Sequence, residues 1–450
     1  MGIRGLGGWV CAALAVVGSG CAEYIKPVTL QVDLQAGTYV LGNGMRVVLQ
    51  HDADTPFVHA RLTYGVGGGD EAPDKTGLAH LAEHLTYRAR AGSTTIHAYE
   101  QAITGGDMNG ETSARRTSYH GSMRSSQVGR FLWAEARRMA FPLEGVTQAD
   151  FDTERSVVMQ ELGQNYANQP YGFASFAALG ALFPAGHPDR HPTIGYIDHL
   201  QTETLSDVTK FVGQYYGPDN ATLVVSGNFD TNLVVRDIDR FFGPQLRKHH
   251  PERPAPPAVA PGPRLVKMVS GEPQAATLLA FPGPPEREDQ WAAMVVLEYF
   301  LSGYTWWGFR GAKNLAHTEL WPLRSSSVLF VRVVASPGEE LGTIDERVFD
   351  KMEEIVSDLR RSPSQLANAR SSLLLEHMAA LEDLTARGER MARHMHDHDE
   401  PDRTQEELRA LQAVTLDDLD ALVRRFRETY VAVHVEHKAG ATRGGEMVVR

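Results

Sequence analysis

Two histidines and a glutamate share the pentapeptide His80-Leu81-Ala82-Glu83-His84. On an α-helix, positions i and i+4 project from nearly the same face, so His80 and His84 can both offer a ring nitrogen to one Zn²⁺. Glu83, three residues after His80, flanks that face. A carboxylate there can take a proton from zinc-bound water and later pass it to a leaving amine. The pattern predicts a metallopeptidase of the H-x-x-E-H type. A solvated helix carrying ion-paired His and Glu would show the same five residues. A third protein ligand separates the two readings, because a catalytic zinc takes three and keeps the fourth position for water.

The segment Asp150 to Gln164 reads as an amphipathic helix, with Glu154 and Glu161 seven residues apart and hence on one face. With this segment added, the chain resembles the pitrilysin/insulinase family of zinc metallopeptidases and, through it, the mitochondrial processing peptidases. In that family a glutamate ligand follows the second histidine by about 77 residues, and here 161 − 84 = 77. The resemblance implies one Zn²⁺ per chain on His80, His84 and Glu161, with Glu83 as general base. It places Glu154 outside the metal, orienting the site.

The resemblance runs from about Thr38 to the end of the chain. Asn43-Gly44-Met45-Arg46-Val47-Val48 is the opening strand, and Gly77-Leu78-Ala79 leads into the zinc helix. Gly105-Gly106-Asp107-Met108-Asn109 followed by Thr112, Thr117 and Tyr119 matches the family's G-G-x-x-N-A-x-T pattern, with two departures. Gly110 stands where Ala is usual and Arg115 where an acid is usual, which points to altered substrate preference. Tyr216 to Leu223 and then Gly227-Asn228-Phe229-Asp230 match the end of the family's first domain. In the family an extended peptide adds to an edge strand beside the zinc, which makes Asn109 a substrate contact here. Active relatives also use an Arg, and a Tyr seven residues later, to contact the substrate and stabilise the oxyanion. Arg310 aligns with the Arg, and the Tyr position is His317, which can donate a hydrogen bond. Many bacterial relatives of this length work as pairs, and this chain resembles the zinc-bearing member. That implies peptide substrates and a homologous non-catalytic partner subunit or a homodimer.

At 450 residues the chain exceeds one ordinary core. An internal duplication divides it. Leu200 to Val208 recurs as Leu411 to Leu419, an offset of 211, and Arg155 to Glu161 recurs as Arg370 to Glu376, an offset of 215. The second offset lays the zinc helix on Val295-Val296-Leu297-Glu298-Tyr299, where both histidines are missing. The predicted organisation is a zinc-bearing domain over 36–246, a Pro-rich linker over 247–263 and a degenerate peptidase-like domain over 264–450. Alternating strands such as Ala60 to Tyr64 and Val328 to Arg332, mixed with long amphipathic helices, give an α+β fold. By resemblance it has two similar halves, each a mostly antiparallel sheet packed with helices, enclosing a cavity.

Residues 1–21 read as an export signal: Arg4, an apolar run through Val17, then Gly18-Ser19-Gly20-Cys21. Cys21 sits where a lipoprotein is cut and acylated. This predicts a bacterial cell-envelope protein, lipid-anchored at the outer membrane or periplasmic, touching the membrane only through that anchor. Both cysteines, Cys11 and Cys21, lie in this leader, so the domains expect no disulfide. A net charge of −12 without a basic tract argues against nucleic acid as a partner. His394, His396 and His398 read as a solvated helix end, and His187 and His191 as a structural loop. Two functions fit: a zinc endopeptidase, or a non-catalytic structural or assembly subunit of the same fold. Retention of His80, Glu83, His84 and Glu161 together favours the enzyme.

Overall fold

A computed structural model describes residues 33–248, 250–304 and 316–448. The leader with Cys21, and Arg310, lie outside the described residues. The first half contributes strands β1 (Gly37–Val40), β2 (Arg46–His51), β3 (Phe57–Tyr64), the short ladder β4 (Arg90–Ala91) and β5 (Thr94–Thr95), β6 (Met108–Thr112), β7 (Thr117–Arg124) and β8 (Ala221–Gly227). Its helices are α1 (Leu78–Arg88), α2 (Ile96–Thr104), α3 (Val128–Ala140), α4 (Gln148–Leu162), α5 (Ala174–Leu182), α6 (Ile197–Thr202), α7 (Leu205–Tyr215) and α8 (Thr231–Phe242). The second half adds β9 (Arg264–Ser270), β10 (Ala276–Gly283), β11 (Ala316–Pro322), β12 (Ser327–Val334), β13 (Val431–His437) and β14 (Glu446–Met447). Its helices are α9 (Trp291–Tyr304), α10 (Leu341–Arg361), α11 (Pro363–Ala380), α12 (Leu384–His398), α13 (Thr404–Ala413) and α14 (Leu416–Glu428).

Each half forms a six-stranded sheet, ordered β1-β2-β8-β3-β7-β6 in the first and β11-β12-β10-β13-β9-β14 in the second. Every neighbouring pair is antiparallel except β2 with β8 and β9 with β13. Read from opposite ends, the two orders superpose: β6 and β11 are edges, β3 and β10 central, and the parallel pair lies on the far side. The duplicated sequence thus encodes the same sheet twice, and the α+β expectation of two similar halves holds.

Two helices, α5 and α12, do not stay with their own sheets. β3 is buried along both faces after its first residue, although alternation alone would leave His59, Arg61 and Thr63 on a solvated face. That face is covered by α12 from the second half, whose Met391, Ala392 and Met395 pack with Val48 and Val224. Gly388 permits the close approach, since a Cβ there would lie 2.7 Å from His59 Cδ2. In exchange α5, apolar on every side, buries Ala174, Ala178, Leu179 and Leu182 against Leu278, Ala280, Val433 and Val435 of the second sheet.

This exchange corrects the solvated reading of the histidine cluster. His394 is buried, its Nε2 2.8 Å from Glu407 Oε1 and its Nδ1 accepting from the Arg403 amide at 2.9 Å. It also revises Arg115. That side chain is buried and pairs with Asp397 of α12, which Arg116 shares at 3.2 Å, so the departure joins the two halves. Helix α4 begins two residues before its expected start, because Thr147 and Asp150 form a reciprocal cap: Thr147 Oγ1 accepts from the Asp150 amide at 3.2 Å and Asp150 Oδ2 from the Thr147 amide at 2.8 Å. It ends at Leu162 and continues as a π-turn over Gly163–Ala167.

Candidate metal centre

Helix α1 starts after Gly77, which has a φ of 96° and offers no side-chain cap. The buried carboxylate of Glu71 takes that place, accepting from the Gly77 amide at 2.9 Å and the Ala79 amide at 2.7 Å. The helix is thereby fixed one residue before His80. Its apolar side, Leu81, Ala82 and Leu85, joins Phe151, Val158 and Leu162 of α4 in one core. That packing sets the polar edges of the two helices beside each other.

His80, His84 and Glu161 meet there, each offering one ligand atom within 4.8 Å of the others. His80 Nε2 lies 3.7 Å from Glu161 Oε2, and His84 Nε2 lies 3.8 Å from Glu161 Oε1. Ligands about 2.1 Å from a tetrahedral zinc stand roughly 3.4 Å apart, so these separations fit a shared ion after small side-chain adjustment. Among the described residues this is the one cluster of three or more His, Cys, Asp or Glu side chains close enough to share a metal. The described residues of the second half hold no counterpart: Val295 and Tyr299 stand on α9 in place of the histidines.

Glu154 sits one layer out. Its Oε2 is 3.1 Å from His84 Nδ1, and its Oε1 accepts from Arg88 Nε at 2.6 Å. With Nδ1 engaged, the free nitrogen of His84 is Nε2, which faces Glu161. The electrostatics divide the two histidines. Burial, with the neighbouring His84, pushes His80 down to about 3, favouring the neutral ring a metal needs. Burial also disfavours charge on His84, but the hydrogen bond to Glu154 and the Glu83 and Glu161 carboxylates outweigh it and raise its pKa. His80 Nδ1 is buried without a hydrogen-bond partner.

Glu83 is buried, and that desolvation pushes its pKa up to about 7, against the lowering effect of Thr112 and His84. Thr112 Oγ1 donates to Glu83 Oε2 at 2.7 Å. Behind α1 lies a fully buried ion cluster, Arg138 with Glu100 at 2.8 Å and Glu135 at 3.1 Å. Arg138 also donates to Thr86 Oγ1 at 3.2 Å and stacks over Tyr119. Glu71 and Arg138 are supports that sequence reasoning missed, and Thr112, read there only as part of the family pattern, is a third whose role it did not give. Glu71 had one signal, the absence of a capping residue before Leu78. Arg138 had another, a cation on the apolar side of α3.

The predicted substrate contacts fall elsewhere. Asn109 lies on β6, the edge of the first sheet, but on its exposed face, opposite Gly110 and Thr112, which face α1. His317 lies on β11, the edge of the second sheet, with its side chain 53% exposed and Nε2 2.8 Å from Glu319 Oε1. It opens on a cavity of about 220 Å³ between the halves, whose first-half wall includes Asn165 and Tyr166 of the π-turn that follows Glu161. His187 and His191 belong to a loop whose Asp189 accepts from the Arg324 amide at 2.7 Å and from the Ser325 and Ser326 hydroxyls, both at 2.7 Å. That loop therefore clamps the β11–β12 turn.

Comparison with known proteins adds to this geometry. The family description Insulinase (Peptidase family M16) matches residues 46–171, and Peptidase M16 inactive domain matches residues 202–366. The zinc protease PqqE of Helicobacter pylori is 28% identical over 225 residues, a stretch of 48% of this chain and 50% of that protein, so this likeness spans half its length. An uncharacterized zinc protease of Mycobacterium leprae is 25% identical over 399 residues, 86% of this chain and 88% of that protein. The crystal structure of a protease from Helicobacter pylori has the same fold, with a TM-score of 0.79 at 19% identity, over 89% of this chain and 99% of that one.

Proposed function

The chain belongs to the insulinase family of peptidases, family M16, and from that premise we propose that it is a zinc-dependent endopeptidase cleaving peptides or unfolded segments. One observation carries the reading: His80, His84 and Glu161 converge from two helices within 4.8 Å, with Glu83 on the same helix as the histidines. The donor set, two imidazoles and a carboxylate, is that of catalytic zinc sites. A Zn²⁺ held there would supply Lewis acidity to activate water and polarise the scissile carbonyl. Glu154 orients His84. Glu83 accepts the proton of the attacking water and returns it to the leaving amine, a task suited to a carboxyl with a pKa of about 7. The edge strand β6 pairs with the substrate backbone, with Asn109 beside it. Arg310, outside the described residues, and His317 act from the second half.

The test is metal content. Purified protein reconstituted with zinc should hold one ion per chain, and His84→Ala or Glu161→Ala should largely abolish binding. Wild-type protein without stoichiometric zinc would sink the site.

A second reading, a non-catalytic subunit of the same fold, draws on the match of residues 202–366, which reaches from the end of the first half into the second, to an inactive domain and on His317 where Tyr is expected. Full retention of the ligands and base in the first half weighs against it. The proposal includes a partner, a homologous non-catalytic subunit or a second copy, and a cell-envelope location through the leader, with lipid on Cys21. Mass spectrometry of the mature N-terminus checks the last point. Among the described residues, no helix is long and apolar enough to cross a membrane.

A further inference from the structure

Strand β6 meets the proposed base through one hydrogen bond, Thr112 Oγ1 to Glu83 Oε2 at 2.7 Å. Gly110 lies two residues back on the same face of the strand. A Cβ at that position would stand 2.6 Å from Glu83 Oε1 and 3.0 Å from Tyr87 Cε2. The strand thus rests against both carboxylate oxygens, gripping one with a hydroxyl and leaving the other beside bare backbone. A glutamate has three rotatable bonds, and a carboxylate that must meet a proton in one place loses efficiency if those bonds are free.

The second half repeats the clasp without the metal cluster. Thr318 Oγ1 of β11 donates to Glu298 Oε1 at 2.7 Å. Glu298 is the residue that the 215-residue offset lays on Glu83, and β11 holds the edge place in its sheet that β6 holds in the first. Helix and edge strand are therefore fastened the same way in both halves, once beside ligands and once beside Val295 and Tyr299. The fastening has a share common to both copies, which is packing, and a share that only the first copy can have.

We propose that Thr112 is a positioning residue that fixes the Glu83 carboxylate beneath the edge strand, so that the oxygen not held by the hydroxyl is presented for proton transfer. The inference rests on the reading of Glu83 as the base. Its test uses the two copies against each other. Thr112→Val keeps the shape and strand preference of the residue and removes only the hydroxyl. It should retain zinc and lower kcat about 10–100-fold, the usual cost of losing a supporting hydrogen bond at a metal site, with KM changed by no more than about twofold. Thr112→Ser should restore kcat. Thr318→Val removes the equivalent bond in the second half and should leave kcat within about twofold of wild type.

An unchanged kcat in Thr112→Val would overturn the proposal. So would an equal fall in Thr112→Val and Thr318→Val, which would make the clasp a matter of packing alone. If Thr112→Val does not fold, Thr112→Ser against Thr112→Ala isolates the hydroxyl, and equal kcat in that pair is again contrary. Glu83→Gln separates the role of the base from the role of its positioning residue. Full activity in Glu83→Gln removes the base and the premise with it, whereas an inactive Glu83→Gln beside a fully active Thr112→Val removes only the positioning role.

Discussion

In the proposed zinc site, Glu154 would act on the metal only through His84. It holds His84 by Nδ1 at 3.1 Å and is itself held by Arg88 at 2.6 Å, and these bonds keep its pKa below the usual glutamate range although burial acts the other way. A charged acceptor on Nδ1 raises the basicity of Nε2 and locks the ring plane. Glu154→Ala should therefore lower zinc affinity about 10–100-fold while leaving the ligands in place, as measured by competition with a chelator. Wild-type affinity in that variant would show that His84 needs no orientation. That His80 and His84 share a helix face was legible in the sequence because the i, i+4 spacing is a local property of one helix, whereas Glu161, on another helix, came only from the family interval. The supports were not. Glu71 and Thr112 act across a turn and across a strand, so the uncapped start before Leu78 and the family pattern around Thr112 named no partner for either.

At the scale of elements, the exchange of α5 and α12 is the feature the sequence did not disclose. Helical periodicity tells which side of a helix is buried, not which sheet buries it. The alternation of His394, His396 and His398 ahead of Asp399-Glu400-Pro401 looked solvated because its partners come from α13 and the first sheet. Glu407 of α13 is the anchor. Burial would raise its pKa, yet the hydrogen bond from His394 and the charges of Arg393 and Arg390 hold it down to about 2. Arg393 approaches Glu407 at 2.8 Å and Arg390 at 3.2 Å. The folded pKa lies below the unfolded one, so the stabilisation is complete above the ordinary glutamate range and fades as pH falls toward 2. With a quarter of the side chain exposed, it is worth about 2 kcal/mol. Glu407→Gln should be destabilised by about that amount in denaturant melts at pH 7, with the gap to wild type narrowing below pH 4. A gap that does not depend on pH would mean that the ion cluster is not the anchor.

For the whole molecule, the duplication was legible from repeated segments at nearly constant offset, whereas the mutual covering of the sheets was not. Each sheet has one face closed by a helix of the other half, and Asp189 clamps the β11–β12 turn from the first half. The two halves therefore present β6 and β11 as edge strands in a fixed relation. Losing one oxyanion donor typically costs about 10²–10³ in kcat, so with His317 in place of Tyr the isolated chain should turn over feebly and gain activity from a partner subunit or second copy. If His317 is itself the donor, His317→Tyr should preserve or raise activity and His317→Ala lower it. Strong activity of the monomer, unchanged in His317→Ala and Arg310→Ala, would contradict both forms. The central claim is that Glu83 moves the proton at a metal site built by His80, His84 and Glu161. Its most direct test is hydrolysis of an unstructured peptide by zinc-loaded wild type and zinc-loaded Glu83→Gln, with any activating partner present for both. Equal zinc in the two proteins with hydrolysis by the wild type alone is the expected result; equal hydrolysis by both would contradict the assignment of Glu83.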